Sequence, residues 1–238
     1  MSEHRERPPR GASGTWAILV AAGSGERLGA DRPKAFAPLG GRALVAESLE
    51  RLDLSDWIDA IVVTAPAGWE EALIVLAEEL VVSKVAAVVT GGRTRADSVA
   101  IALTEVSEAA VAVVVHDAAR PLVDDEVIER VLTPLGEGYD GVVPALPLAD
   151  TVKRVRSGTV VETLPRADLV AVQTPQAFLA DVLRRAYAGD LAGATDCASL
   201  VEAAGGRVRV VDGSHRLVKV TTRDDLERVE TLLAEEGS

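Results

Sequence analysis

The chain has 238 residues and is acidic, with 25 lysines and arginines against 37 aspartates and glutamates and a formal net charge of −12. Hydrophobic residues make up 48% of it and aromatics only 3%, so the composition supports a core packed mainly from Val, Leu, Ala and Ile rather than a disordered chain. The acidity disfavours a general nucleic-acid-binding protein, and the single cysteine excludes an internal disulfide and any multi-cysteine metal site.

The amino-terminal segment is charged and rich in Pro and Gly, and no apolar run follows it. Residues 1–14 therefore predict a disordered tail rather than a signal peptide. No apolar stretch approaches the roughly 18 residues that a membrane span requires. We expect a cytoplasmic protein with neither a membrane nor a nucleic acid as its partner.

Short apolar runs alternate with longer helical patterns, which predicts βαβ units. The runs are continuously apolar, as is typical of strands covered on both faces. The predicted strands are residues 16–21, 58–64, 85–89, 111–116 and 141–145. The predicted helices between them are residues 43–52, 69–80, 95–106 and 124–132. The expected fold class is α/β, with a Rossmann-like, mostly parallel sheet flanked by helices.

The alternation is interrupted once, between about residues 147 and 172. Residues 150–156 and 159–164 predict a polar β-hairpin that turns at Ser157-Gly158. A two-stranded ribbon is not stable alone, so we expect it to be a dimerisation arm that packs on a second copy of the chain. The elements predicted after it are helices at 178–188 and 196–204, a strand at 207–211 and a last helix at 223–235. We predict a single domain over residues 15–238.

A glycine-rich loop follows the first strand, with small residues at Ala21, Ala22, Gly23 and Gly25. Small residues let backbone N–H groups approach a phosphate closely. The loop fails the dinucleotide-binding pattern, because Leu28 stands at the third glycine position, and no Gly-Lys-Ser/Thr closes a Walker A loop. A glycine-rich turn without a ligand is the alternative at this point.

Two cations after the loop favour a phosphate site. Arg27 lies just beyond it, and Lys34, one of four lysines in the chain, follows a proline. A lysine is ordinarily a solvated surface residue, but its compact charge also suits a phosphate. The loop and both cations occur together at the carboxyl end of the first strand, where α/β sheets bind ligands.

Further motifs narrow the class of protein. The loop with Arg27 and Pro33-Lys34 resembles the nucleotidyltransferase signature, and five other motifs follow it in order. They are GGRTRADSV at 91–99, HDAARP at 116–121, DTVKR at 150–154, TPQAF at 174–178 and TD at 195–196. Together they resemble the 2-C-methyl-D-erythritol 4-phosphate cytidylyltransferase family of the non-mevalonate isoprenoid pathway, over roughly residues 16–233.

The resemblance implies that CTP and methylerythritol phosphate, with Mg²⁺, give CDP-methylerythritol and pyrophosphate. The nucleophile is a phosphomonoester whose second pKa is about 6, so it is already ionised at neutral pH and needs no general base. The three histidines, His4, His116 and His215, offer no persuasive base. Catalysis is expected to depend on positioning, cations and a metal ion.

The resemblance also implies four catalytic residues. Arg27 and Lys34 match the cations that stabilise the transition state at the α-phosphate, and Lys219 matches the lysine near the attacking phosphate. Arg166, on the arm, matches the arginine that positions the incoming phosphate from the partner subunit of a homodimer. A bidentate guanidinium suits that task better than an ammonium group.

Other matching residues are expected to bind the two substrates. For CTP they are the loop residues Ala21, Ala22, Gly23 and Gly25, together with Gly92, Arg95 and Ser98 in the segment that closes over cytosine. Ser98 is the expected side-chain contact with the base. For the polyol phosphate they are Asp117, Arg120, Thr151, Thr174 and Thr195.

Asp117 is also the candidate ligand of Mg²⁺, with a helix-capping role as the alternative. Thr151 and Thr174 are expected, like Arg166, to reach across the dimer from the arm.

Three rival functions compete with this one. The nearest rival is ribitol 5-phosphate cytidylyltransferase. Because both substrates are linear polyol phosphates, only the pocket residues around Thr151, Arg166 and Thr195 can separate the two enzymes. A catalytically inactive nucleotide-binding module predicts the loss of Arg27, Lys34 or Lys219, and all are present. An NAD-dependent dehydrogenase is disfavoured by the missing third glycine and by the lack of an acidic residue at the end of the second strand.

Overall fold

The computed structural model describes residues 14–23, 25 and 32–236. The predicted disordered tail lies outside these residues except for Gly14, which is buried and accepts a hydrogen bond from the Val111 amide over 3.1 Å. Disorder of the tail stays a prediction.

One large sheet forms the centre of the domain. Within the described ranges it has eight strands, β1 (Thr15–Val20), β4 (Ala60–Ala65), β5 (Val85–Thr90), β6 (Ala112–Asp117), β7 (Gly141–Pro147), β10 (Val170–Val172), β11 (Gln176–Leu179) and β12 (Val208–Asp212). The same part of the chain also forms two separate hairpins, β2 (Pro38–Leu39) with β3 (Arg42–Ala43), and β8 (Val152–Arg156) with β9 (Thr159–Leu164).

The strand order confirms a mostly parallel α/β sheet. β1 runs parallel to both β4 and β6, β5 is parallel to β4, and β12 is parallel to β7. β11 lies antiparallel between β6 and β7, and β10 extends along the other end of β7. The carboxyl ends of β1, β4, β5 and β6 therefore meet at one edge of the sheet.

The stretch around Phe178 was predicted as the start of a helix, and this prediction is wrong. Gln176–Leu179 is strand β11, and the helix begins only at Ala180. Phe178 pairs with Val113 on one side and Gly141 on the other, and its side chain is fully buried. Pairing with two neighbouring strands outweighs the local helical pattern, because it satisfies backbone groups that would otherwise be buried without partners.

The described residues form seven α-helices, and the first six of them flank the sheet. The seven are α1 (Leu44–Leu54), α2 (Glu70–Glu79), α3 (Arg95–Leu103), α4 (Asp125–Leu132), α5 (Ala180–Tyr187), α6 (Cys197–Ala203) and α7 (Arg223–Glu236). α1, α2 and α4 pack on one face, α3, α5 and α6 on the other, and each face has its own hydrophobic cluster. Successive residues of β1 alternate between the clusters, as the pleat of a two-sided strand requires. None of the described helices has the length and apolarity that crossing a bilayer requires.

A third, smaller cluster joins three segments that carry no strand of the main sheet. Leu39 of the β2–β3 hairpin, Leu44 and Leu122 pack with Val220 and with Val229 of α7. The backbone amide of Val220 also donates to the carbonyl oxygen of Ala119 over 2.8 Å. The carboxy-terminal helix thus holds the loop before it against the edge of the sheet.

The predicted polar hairpin is confirmed as β8 and β9, which pair with each other and with no other described strand. Three of its valines are more than half exposed in the single chain: Val155 at 55%, Val160 at 55% and Val161 at 51%. After the hairpin, β10 returns to pair with β7. The arm therefore projects from the domain with three valines that stay about half exposed in the single chain.

We expect Gly141→Ala to lower the free energy of unfolding by about 1–3 kcal/mol, the scale of overpacking in a filled core. A Cβ at this position would lie 2.6 Å from Cδ1 of the buried Phe178 ring. Urea denaturation followed by circular dichroism measures the change. Gly189→Ala is the control, because its Cβ would meet only the Ala186 carbonyl oxygen, at 3.4 Å. Equal losses in the two variants would contradict the packing argument.

Candidate active site

A cavity of about 390 Å³ opens at the carboxyl-terminal edge of the sheet, beside β1 and β6. This is the edge at which open α/β sheets bind ligands. Its lining residues come from the glycine-rich loop, the 3₁₀ turn Lys34–Phe36, the start of α1, the loop before α3, the end of β6 and the loop before α7. They are Val20, Ala21, Ala22, Gly23, Lys34, Ala35, Leu44, Gly92, Arg93, Thr94, Arg95, Ser98, Asp117, Ala118, Ala119 and Lys219.

Two glycines bring the loops around the cavity into contact. Gly25 has a φ of +74°, and a Cβ on it would lie 2.6 Å from the Cβ of Lys34. A Cβ on Gly91 would lie 2.1 Å from the Cβ of Ala22. Only glycine allows these approaches, and they set the glycine-rich loop beside both the Lys34 turn and the loop before α3. The predicted proximity of the loop and Lys34 is confirmed.

The loop before α3 is held by a capping box. Thr94 Oγ1 accepts from the Asp97 amide over 3.0 Å, and the Asp97 carboxylate accepts from the Thr94 amide over 3.1 Å. Ser98 Oγ accepts from the Gly92 amide and donates to the Thr94 carbonyl, over 3.0 and 2.9 Å. The Ser98 hydroxyl therefore shapes the loop that lines the cavity, and its contact with cytosine stays a prediction.

The cavity is basic although the chain is acidic. Lys34, Arg93, Arg95 and Lys219 line it, and Asp117 is the one carboxylate among the described lining residues. In a protein with a formal charge of −12, such a concentration of cations makes a local field that attracts polyanions. The cavity suits a ligand with several phosphates.

Asp117 holds two of these cations. Its Oδ2 accepts from Lys219 Nζ over 2.7 Å, and its Oδ1 accepts from Arg95 Nε over 2.8 Å. The carboxylate is only 8% exposed. Burial alone would raise the pKa of Asp117, but the charges and hydrogen bonds of the two cations outweigh it and hold that pKa well below its ordinary value. The helix-capping alternative is wrong, because Asp124 caps the following helix α4.

A buried hydrogen-bond network lies directly behind Asp117. Thr174 Oγ1 accepts from the Asp117 amide over 3.0 Å and lies 3.2 Å from His116 Nδ1. His116 Nε2 lies 3.0 Å from the Arg120 carbonyl, which can only accept, so Nε2 carries the proton and Nδ1 accepts from Thr174. Burial lowers the pKa of His116 to about 4, so the ring is neutral at neutral pH. Neither His116 nor Thr174 lines the cavity.

Thr174 corrects an expectation. It was predicted to reach across a dimer from the arm, but it lies in the body of its own subunit, 5% exposed, with its hydroxyl bonded beside Asp117. It follows β10, which has already returned to the main sheet. The sequence motif predicts that Thr174 lies near the site. Only the strand pairing shows that it follows the arm and lies in the main body of the subunit.

The other predicted residues lie apart from the cavity wall. Arg120 donates from Nη1 to the Leu217 carbonyl over 2.5 Å, and its Nε is buried with no partner among the described residues. Thr195 is exposed just before α6, and Thr151 and Arg166 are exposed on the arm. The Arg166 guanidinium donates to the Ala149 carbonyl. Arg27 lies outside the described residues, so its role stays a prediction.

Some lining residues were missed from the sequence. Arg93, to which no role was assigned, lines the cavity, as do Thr94 and the small residues Ala118 and Ala119. The Thr94 cap had a recognisable signal, since a threonine three residues before an acidic side chain is typical of a helix start. The lining by Ala118 and Ala119 had no such signal, because it follows from where β6 ends.

The comparisons with known proteins agree with this geometry. The family model for 2-C-methyl-D-erythritol 4-phosphate cytidylyltransferase matches residues 15–235. A protein of that name from Nocardia farcinica is 46% identical over 218 residues, which cover 91% of this chain and 93% of the relative. Another, from Saccharopolyspora erythraea, is 44% identical and covers 92% of this chain and 98% of the relative.

Solved structures show the same fold. The 4-diphosphocytidyl-2C-methyl-D-erythritol synthase of Anaerococcus prevotii superposes with a TM-score of 0.79 at 26% identity, over 94% of this chain and all of that one. The 2-C-methyl-D-erythritol 4-phosphate cytidylyltransferase of Thermus thermophilus gives a TM-score of 0.74 at 31% identity, over 91% of this chain and 98% of that one.

The sheet, its glycine-rich loop and the basic cavity define a nucleotidyltransferase. The chain belongs to the 2-C-methyl-D-erythritol 4-phosphate cytidylyltransferase family, as its sequence motifs indicated. Its activity is accordingly that of an enzyme that joins CTP and methylerythritol phosphate to give CDP-methylerythritol and pyrophosphate in isoprenoid biosynthesis.

The buried His116 makes stability depend on pH. We expect the free energy of unfolding to fall by up to about 3 kcal/mol between pH 6.5 and pH 4, since one pKa unit corresponds to about 1.4 kcal/mol. The unfolded chain binds a proton at His116 below its ordinary pKa of 6.5, whereas the folded chain does so only near 4, so protons favour unfolding in that window.

Urea denaturation at several pH values measures this dependence. Because carboxylates also titrate near pH 4, the comparison is with His116→Gln, which has no titrating group at this position. We expect the wild-type stability to fall more steeply than that of the variant between pH 6.5 and 5. Parallel pH profiles would show that His116 is not the group responsible.

Proposed function

We propose that cytidylyl transfer takes place in the basic cavity, with Lys34, Lys219 and Arg27 around the reacting phosphates. The observation that carries this proposal is the concentration of cations at the carboxyl edge of the sheet in an otherwise acidic chain. Both substrates and the leaving group are polyanions, and a fixed set of cations lowers the repulsion between them. The cytoplasmic location stays a prediction from the sequence.

The reaction needs no proton transfer to begin. A phosphate oxygen of methylerythritol phosphate attacks the α-phosphorus of CTP, and the bond from that phosphorus to the bridging oxygen breaks, so pyrophosphate leaves with the electron pair. The attacking phosphate is ionised at neutral pH, so no general base is required. The buried His116, outside the cavity and with its pKa lowered to about 4, is not suited to be one. Catalysis is then mainly positioning and electrostatic stabilisation.

Different cations act on the α-phosphate of CTP and on the attacking phosphate. Lys34, beside the glycine-rich loop, stabilises charge at the α-phosphate together with Arg27. Lys219, whose ammonium is held by Asp117, faces the attacking phosphate. Arg120 does not line the cavity, so its expected contact with the polyol phosphate rests on the sequence resemblance.

A Mg²⁺ ion fits this donor set. No group of three or more possible metal ligands occurs among the described residues, so the protein does not offer a carboxylate cage there. Mg²⁺ commonly uses one or two carboxylates plus substrate phosphates. Asp117 lines the cavity, and its oxygens retain acceptor capacity beyond the bonds to Arg95 and Lys219. When bound, the ion would neutralise phosphate charge, with Asp117 as its protein ligand.

We further propose that the site is shared between two subunits of a homodimer. The arm carries exposed valines and, among the described strands, no partner beyond the hairpin itself, which suits burial against a second copy. Arg166 and Thr151 are exposed on this arm and do not line the cavity of the same chain. Arg166 would position the polyol phosphate in the partner's cavity.

The direct test offers purified protein CTP and Mg²⁺ with either methylerythritol phosphate or ribitol 5-phosphate, and measures pyrophosphate release. We expect release with methylerythritol phosphate and little with ribitol phosphate, because the family and its named relatives act on the former. Excess chelator should abolish the reaction. Preference for ribitol phosphate would favour the rival cytidylyltransferase, and full activity in chelator would contradict the metal requirement.

Lys34→Ala should reduce turnover by about 100-fold or more, the scale of losing one preorganised charge contact in a transition state. Steady-state pyrophosphate release measures the change, and circular dichroism checks the fold. The matched control is Lys84→Ala, because Lys84 lies outside the cavity and its ammonium donates to the Ser55 carbonyl over 2.6 Å. Near-wild-type turnover in Lys34→Ala would remove its catalytic role.

The shared site predicts complementation between two inactive variants. Arg166→Ala and Lys34→Ala proteins should each be impaired, and their equal mixture should recover about a quarter of the wild-type rate, because half of the random dimers are mixed and each mixed dimer has one intact site. Arg166→Ala should mainly weaken engagement of methylerythritol phosphate and leave CTP binding nearly unchanged. If native mass spectrometry confirms subunit exchange and no activity returns, the site is not shared.

A further inference from the structure

The single cysteine of the chain lies directly beneath the active-site cavity. Cys197 is the first residue of α6 and is fully buried. Its Sγ lies 3.4 Å from Nη1 of Arg95, which lines the cavity, and 3.2 Å from the hydroxyl of Tyr187 at the end of α5. The thiol therefore bridges a cavity residue and a tyrosine that does not reach the cavity.

The guanidinium of Arg95 has few other contacts. Nε donates to Asp117 Oδ1 over 2.8 Å, Nη1 donates to Cys197 Sγ, and Nη2 is buried with no partner among the described residues. Two acceptors therefore set the orientation of the guanidinium plane, and Cys197 is one of them. Without it, Asp117 alone would hold Arg95, and a single hydrogen bond leaves the plane free to turn.

The sulfur is a neutral acceptor. Burial raises the pKa of the Cys197 thiol, and burial likewise raises the pKa of the Tyr187 hydroxyl, so both keep their protons at neutral pH. A neutral sulfur orients Arg95 without competing with Asp117 for its charge. The carboxylate thus keeps Arg95 on one oxygen and Lys219 on the other.

We propose that Cys197 and Tyr187 are positioning residues of this enzyme. Tyr187 holds the Cys197 thiol, the thiol orients Arg95, and Arg95 places the Asp117 carboxylate that holds the Lys219 ammonium for the attacking phosphate. Neither residue lines the cavity, so both act through Arg95. The inference rests on the proposed roles of Asp117 and Lys219.

Packing alone makes the opposite prediction for two substitutions of Cys197. A buried free cysteine behaves as a small hydrophobe, so a packing role predicts that alanine is tolerated better than serine, whose hydroxyl is polar. A hydrogen-bonding role predicts that serine, which keeps an acceptor for Arg95, is tolerated better than alanine. The order of the two variants separates the interpretations.

We expect Cys197→Ala to lower kcat/KM for methylerythritol phosphate by about tenfold, the scale of one hydrogen bond to a charged group. Cys197→Ser should recover most of that loss. Thermal unfolding is measured on both, so that activity is compared between folded proteins. If alanine matches the wild type and serine is the weaker variant, Cys197 only packs and the proposal is overturned.

Tyr187→Phe tests the same series of hydrogen bonds and leaves Cys197 in place. It removes the hydroxyl that contacts Sγ and keeps the ring, and we expect it to lower kcat/KM for methylerythritol phosphate severalfold. Tyr139→Phe is the matched control, because Tyr139 is the other tyrosine of the chain and its ring contacts Arg207 and Arg209. Equal activity of the two variants would contradict a positioning role for Tyr187.

Raman spectroscopy gives a readout that does not depend on turnover. The chain has one cysteine, so its S–H stretching band reports only Cys197. We expect the band to shift in Tyr187→Phe and, in the wild type, on addition of CTP with Mg²⁺, because Arg95 joins the thiol to the cavity. A band unchanged in both cases would overturn the proposal. Absence of pyrophosphate release from the wild type would instead refute the proposed function.

Discussion

The buried carboxylate of Asp117 is the group on which the architecture of the site depends. A carboxylate this deeply buried is costly unless it is paired, and its two oxygens pair with Arg95 and Lys219. These three residues come from β6, from the start of α3 and from the loop before α7. One ion-pair network therefore joins three segments that are distant in the sequence, and it does so at the carboxyl edge of the sheet, where the cavity opens.

The rest of the cavity follows from how closely the backbone segments approach this edge. Gly25 and Gly91 allow the glycine-rich loop to contact the Lys34 turn on one side and the loop before α3 on the other. The small hydrophobic cluster around Val220 and Val229 presses the Lys219 loop against the same edge. The cations are thus held by backbone contacts rather than by long flexible side chains alone, so little reorganisation is needed when the phosphates bind.

The charge distribution explains how an acidic protein handles polyanionic substrates. The chain carries a formal charge of −12, yet the described lining of the cavity has four cations and one carboxylate. That carboxylate is neutralised by its two partners, so it does not repel a phosphate as a free carboxylate would. Arg166, on the arm, does not line the cavity of its own chain, and the proposed second subunit would bring this cation to the partner's cavity.

Much of the fold could be predicted from residue patterns. Strands β1, β4, β5, β6 and β7 were recognisable from apolar runs, and each contributes residues to the hydrophobic clusters on both faces of the sheet. The hairpin β8–β9 has a clear turn signal at Ser157-Gly158. The glycine-rich loop and Lys34 also indicated a phosphate site, since they lie close in sequence and follow a strand. Motif order identified the family, which the relatives confirm.

Other features were decided by the tertiary structure. Strand β11 forms because Gln176–Leu179 fits between β6 and β7. The residue pattern of a short segment does not show which strands lie beside it in the folded sheet. Thr174 lies in the main body of its own subunit and not on the arm, because the preceding strand β10 already pairs with β7 of the main sheet. The contacts of Asp117 with Arg95 and Lys219, and of Arg95 with Cys197, join residues 22 to 102 positions apart. The sequence by itself determined most of the segments that form strands and which residues can carry charge. Only the packing of those segments decided which charged groups meet, because contacts between residues distant in the sequence depend on the path of the whole chain.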